Sequence, residues 1–268
     1  MGNFRVISAV WTLMLAGICI SPPARAASDT PASARASASG AQPVIVIGLV
    51  GGWIHADNRD DHMVELAAEL NREYGASVHA EIFENHHREQ ARERILALLD
   101  RDGKGALAAE EKQGARIVLY GESWGGSETV VLARELQQRG IPVLLTVQID
   151  SVAKMGEDDA VTPANVAQAV NFYQPHGIIH GCQRIRAADA SRTEVIGNFR
   201  FDYENHTVPV HGASWFAKTF FRPHLSIEND PVVWSRIETL IRSKLPAPAA
   251  QRQVASDSAP RPSSGNLP

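Results

Sequence analysis

Residues 117–126 read IVLYGESWGG: a short apolar run, then Gly121, Glu122, Ser123, Trp124, Gly125 and Gly126. An apolar run without alternation suits a strand buried on both faces, and the SETVVLARELQQRG that follows (127–140) has the spacing of an amphipathic helix. The pattern Gly121-x-Ser123-x-Gly125 therefore falls between a strand and a helix, where a serine sits on a turn too tight for side chains at its flanks. Ser123 is the candidate nucleophile.

Working outward, further strands are expected at PVIVIGLV (43–50), SVHAEIF (77–83), PVLLTVQI (142–149) and TEVIGNFRF (193–201). Helices are expected at DDHMVELAAELNREYG (60–75), HHREQARERILALLD (86–100), ANVAQAVNFYQ (164–174) and DPVVWSRIETLIRSKL (230–245). Strands alternating with helices imply an α/β fold, a mostly parallel sheet flanked by helices. Chemistry in such sheets collects at the carboxyl ends of the strands, where Ser123 falls.

A serine hydroxyl is a weak nucleophile until a base takes its proton and a carboxylate orients that base. Among the histidines after the elbow, His224 is favoured over His211 and then His206, because its segment FRPHLSIENDP leads as a loop into the last helix. Asp150 ends the strand after the nucleophile's helix and is the favoured acid. Asp202, after TEVIGNFRF, is the alternative. An oxyanion would be held by the amide of Trp124 and by a second donor, Gly52 or Trp53, from the glycine-rich loop GLVGGWIHADN.

These stretches, GLVGGW, GESWGG, TVQIDSV and the histidine segment before the last helix, resemble the α/β-hydrolase superfamily in its lipase-like and esterase-like branches. The resemblance covers most of 43–245 and implies a serine hydrolase acting on an ester, thioester or amide. Two departures stand out: Glu122 precedes the nucleophile where lipase-like elbows often carry His, and no large lid insertion is evident. A small acyl substrate fits better than long-chain fat, although the expected ligand class still includes lipid-like acyl compounds.

The ends of the chain point to export. Arg5, an apolar run from Val6 to Ile20 and small residues at Ala24 and Ala26 form an expected signal peptide (1–26), too short to serve as a bilayer span. Removing it takes Cys19 away and leaves Cys182 without an intrachain disulfide partner, in the periplasm or outside the cell. Residues 27–42 and 246–268, rich in Ala, Ser and Pro, read as a linker and a tail around one domain, 43–245. A net charge of −4 without a basic stripe argues against nucleic acid as a partner.

No phosphate-cradling glycine motif follows a strand, so no organic cofactor is implied. DRDGKGALAAEE (100–111) is similar to an EF-hand loop, with Asp100, Asp102 and Glu111 at ligand positions, but Lys104 stands where an oxygen ligand belongs. Calcium is thus a minor expectation. The groups His55, Asp57, Asp60, Asp61, His62 and Glu84, His86, His87 carry metal-ligand chemistry without a recognisable spacing. The competing reading is a catalytically silent binding protein on the same fold, stabilised by calcium in that loop.

Overall fold

The computed structural model describes residues 42–52, 54–210, 219 and 221–248. The expected signal peptide, the linker up to residue 41 and the tail from 249 lie outside the described residues.

Six parallel strands form one sheet: β1 (Val44–Val50), β2 (Val78–Glu84), β3 (Ile117–Glu122), β4 (Val143–Ile149), β6 (Val166–Tyr173) and β8 (Glu194–Arg200), in the order β2-β1-β3-β4-β6-β8. Two short strands, β5 (Val161–Thr162) and β7 (Arg186–Ala187), pair with each other apart from it. The α/β class expected from strand–helix alternation is the class observed.

Side chains alternate across a strand, and β1 shows why its sequence is apolar throughout. Val44 and Val46 face a layer that includes Met63, Leu66 and Leu70 of helix α1 (His62–Tyr74) and Trp234, Ile237 and Ile241 of the last helix, α6 (Pro231–Arg242). Ile45, Ile47 and Leu49 face the opposite layer, with Ile95 and Leu99 of α2 (Arg88–Leu99) and Leu132 and Leu136 of α4 (Ser123–Gln138). With both faces covered, every residue of β1 and β3 is buried. A short helix, α3 (Ala109–Gln113), precedes β3. Helix starts follow the expected chemistry: Asp61 accepts from Met63 N and Val64 N, and Asp230 accepts from Val232 N ahead of Pro231.

One element of the sheet differs from expectation. ANVAQAVNFYQ, read as a helix, is the inner strand β6. Val166 and Ala169 pack into one layer while Val170 and Phe172 pack into the other, the signature of a strand buried on both faces rather than of a helical stripe. Its polar positions misled the periodicity: Asn171 is buried and donates to the carbonyl of Cys182 at 2.7 Å.

The strand order places the site. The chain runs from β1 to β2 on one side, then crosses back to β3 on the other, so β1 and β3 flank a switch point where loops diverge and leave a crevice. Leu49 pairs with Gly121 in register, which brings Gly51 beside Ser123. Among the described residues no helix is long and apolar enough to cross a membrane.

Candidate active site

Ser123 has φ +50°, a left-handed conformation that non-glycine residues rarely adopt, and it is the first residue of α4 directly after β3. That turn needs close backbone approach around it. A Cβ on Gly125 would lie 1.8 Å from the Leu49 carbonyl oxygen, and one on Gly51 would lie 2.7 Å from Ser123 Cβ. Only glycine lets β1, its loop and the elbow meet at this distance.

His224 Nε2 lies 2.9 Å from Ser123 Oγ, and His224 Nδ1 lies 2.6 Å from Asp150 Oδ2. The three groups span 101 and 74 positions of sequence and are buried together, with Asp150 fully enclosed. Asp150 also has a positive φ, +41°, which turns its side chain off the end of β4. Its carboxylate accepts from Gln174 N (3.2 Å), Gln174 Nε2 (2.8 Å) and Gly181 N (2.9 Å). An anion held this way favours the His224 tautomer with the proton on Nδ1, leaving Nε2 to receive one.

His224 was expected in a loop. It lies instead in a short helix, α5 (Arg222–Glu228), begun by Pro223, whose fixed φ suits a first helical turn. The helix matters because it places Glu228 one turn beyond His224, with Oε1 3.1 Å from Nε2. Burial opposes a charged imidazole here, but Glu228 and the hydrogen bond to Asp150 outweigh it and lift the His224 pKa from 6.5 to about 9. Burial pushes the Glu228 carboxyl up to about 7, although His224 pulls the other way. Glu122 is also buried; desolvation, then repulsion from Glu228 and Asp61, raises its pKa well above the usual range against a weak 3.5 Å contact from Gly51 N–H. These carboxyls face a cavity of about 840 Å³ whose walls include Ile54, Asp61, Glu122, Leu225 and Glu228.

The oxyanion candidates lie on the two expected segments. Trp124 is in the first turn of α4, at the positive end of that helix. Gly52, with φ +49°, has its carbonyl held by Asn85 Nδ2 at 2.7 Å. Trp53 and the alternative base His211 lie outside the described residues.

The alternative acid Asp202 is not brought to His224. It is exposed at the surface, 3.3 Å from His176 Nε2 and 3.0 Å from Arg200. The backbone N–H of Glu204, then His176 and Arg200, hold its carboxyl below the ordinary range against slight desolvation. His206 lies against Tyr203 instead, with ring centroids 6.3 Å apart. Sequence reasoning missed Gln174 and Glu228, whose roles arise only from the fold.

The carboxylates of Asp100, Asp102 and Glu111 converge as an EF-hand resemblance requires, yet the loop itself engages them. Asp100 accepts from Lys104 N and Gly105 N, Glu111 accepts from Arg101 N and Ala108 N, and Lys104 Nζ lies 2.7 Å from Asp102.

No protein-family model matches the chain, and no curated protein matches it. Solved structures similar to it include a hyperthermophilic esterase from the archaeon Pyrobaculum calidifontis, at 15% identity over 76% of this chain and 78% of that one, with TM-score 0.43. A dienelactone hydrolase-like promiscuous phosphotriesterase from metagenomic libraries is similar at 16% identity over 78% and 89%, with TM-score 0.39. A cutinase-like protein from Cryptococcus sp. is similar at 12% identity over 77% and 96%, with TM-score 0.39. At these values the likenesses add no step to the geometry.

Proposed function

We propose that this chain is an exported serine hydrolase of the α/β-hydrolase type, cleaving a carboxylic ester, thioester or related acyl bond. The observation that carries the reading is the hydrogen-bonded series Asp150, His224, Ser123, at 2.6 and 2.9 Å, with the serine on a left-handed strand-to-helix turn. That arrangement meets the geometric demands of an activated nucleophile.

In the reaction, Ser123 Oγ attacks the carbonyl carbon and its proton passes to His224 Nε2. Asp150 stabilises the imidazolium that forms, and the amides of Trp124 and of Gly52 or Trp53 bind the oxyanion. His224 returns the proton to the leaving oxygen or sulfur as the tetrahedral intermediate collapses to an acyl-enzyme. Water, deprotonated by the same nitrogen, then releases the acid. Side chains and amides carry every step, so no cofactor enters.

A second reading, a silent binding protein, draws on one feature: an ionised Glu228 beside Nε2 favours imidazolium, a form that accepts no proton. Fluorophosphonate labelling of the purified protein separates the two. The hydrolase reading expects labelling at Ser123 that is abolished in Ser123→Ala and strongly reduced in His224→Ala, together with turnover of short p-nitrophenyl or thioester acyl substrates. A folded protein that neither labels nor turns over any acyl substrate between pH 6 and 10 refutes it.

A further inference from the structure

At the end of β2 the chain makes a tight turn, with His87 N donating to the carbonyl of Glu84 at 2.8 Å. The turn gathers Glu84, His86 and His87 so that one ligand atom from each lies within 4.8 Å of the others. His86 Nε2 is 3.2 Å from Glu84 Oε2, about the edge length expected for a tetrahedron of ligands 2.0–2.1 Å from a zinc ion. His55, from the loop after β1, lies with Nδ1 3.0 Å from the other carboxylate oxygen, Oε1. The carboxylate is thus oriented by one imidazole and presented toward a second, the relation that outer groups bear to metal ligands. The spacing Glu84-x-His86-His87 matches no ligand motif, and His55 joins the cluster from a second loop.

We propose that Glu84, His86 and His87 form a binding site for a divalent transition-metal ion of the zinc class, with His55 as the residue that positions the carboxylate. Imidazole and carboxylate donors suit zinc, and three protein ligands leave a coordination position for water. Partial exposure of the cluster gives an ion direct access from solvent.

The site has a structural consequence. Asn85, between the ligands, is buried, and it holds the Gly52 carbonyl through Nδ2 while its own carbonyl accepts from Lys154 Nζ at 3.2 Å. His55 belongs to the same loop as Gly52. An ion tying the Glu84–His87 turn, with His55 drawn in through Glu84, braces the loop that carries the second oxyanion donor. The effect on turnover rests on the hydrolase reading; the binding itself does not.

The test is titration of tag-free, EDTA-treated protein with Zn²⁺ by calorimetry, repeated with Co²⁺ to read its visible d–d absorption. Expected are one ion per chain at this site, imidazole-type Co²⁺ bands and a raised melting temperature. Binding should be lost in a His86→Ala, His87→Ala double variant and weakened about 10- to 100-fold in His55→Ala, the usual effect of removing an orienting group. His176→Gln is the control, because His176, Asp202 and Glu204 form the other His-containing cluster among the described residues. Circular dichroism establishes that each variant is folded. Absence of binding, binding unchanged in the double variant, or binding lost instead in His176→Gln would overturn the assignment.

Discussion

In the proposed hydrolase, Glu228 sets the pH at which His224 can act as a base, and Glu228→Gln tests this directly. The carboxylate oxygen lies 3.1 Å from Nε2, the same nitrogen that lies 2.9 Å from Ser123 Oγ. The rise of His224 from 6.5 to about 9 corresponds to about 3 kcal/mol in favour of imidazolium, at roughly 1.4 kcal/mol per pH unit. Two anions supply it, Glu228 and Asp150, against the opposing effect of burial. Removing the Glu228 charge leaves Asp150 and desolvation, so the pKa should fall by about one to two pH units. A base must be neutral to accept a proton. At pH 8 only about a tenth of the imidazole is neutral with a pKa near 9; after the substitution the fraction becomes about half to nine-tenths, a five- to ninefold gain. The assay is kcat/KM for a chromogenic ester from pH 6 to 10, with the rate of fluorophosphonate labelling as a readout independent of substrate. The acid limb reports the apparent ionisation of the His224–Glu228 pair in the free enzyme, and it should move to lower pH in both assays. Glu228→Leu, which offers the ring no amide, should move it in the same direction. An acid limb that stays in place in both variants would refute the idea that Glu228 holds the imidazole in its charged form.

Asp150→Asn removes the acceptor for His224 Nδ1 and sets an amide among the donors Gln174 N, Gln174 Nε2 and Gly181 N; kcat should fall about 10⁴-fold, and a loss under tenfold would contradict the assigned role. Gly125→Ala forces a methyl to 1.8 Å from the Leu49 carbonyl oxygen, so the denaturation midpoint should drop by the equivalent of about 3 kcal/mol or more; an unchanged midpoint would show that the elbow has room. Glu122→Gln tests a buried acid whose folded pKa is raised. In the unfolded chain this acid ionises above about 4.5 while the folded form stays protonated, so its contribution to stability is present below that pH and is lost as pH rises toward the folded value. The glutamine variant should therefore gain melting temperature over wild type at pH 8 and lose that advantage near pH 4; a gain independent of pH would mean that the carboxyl is not the cause.

The candidate-site residues that follow strands were legible from the sequence, because parallel strands buried on both faces read as largely apolar runs that end at the sheet edge where Ser123 and Asp150 lie. Ser123 and Asp150 are each the first residue past a strand, β3 and β4 respectively. His224 was accessible by position alone, as the histidine before the last helix. The groups that tune this series were hidden, and each omission traces to one misread element. Taking 164–174 for a helix hid Gln174, which lies just beyond β6; in the sheet, Ile149 pairs with Phe172, so Asp150 and Gln174 leave adjacent strands at the same edge. Taking 222–228 for a loop hid Glu228, since a spacing of four residues places two side chains together only on a helix. Both segments have weak local signals: β6 carries Gln168 and Asn171 among its apolar residues, and α5 is seven residues long with no side-chain cap. Their structure comes from packing against the rest of the molecule. The placing of Ser123 and Asp150 can therefore be read from local pattern, whereas the environment of the His224 imidazole depends on tertiary contacts that a single sequence does not display.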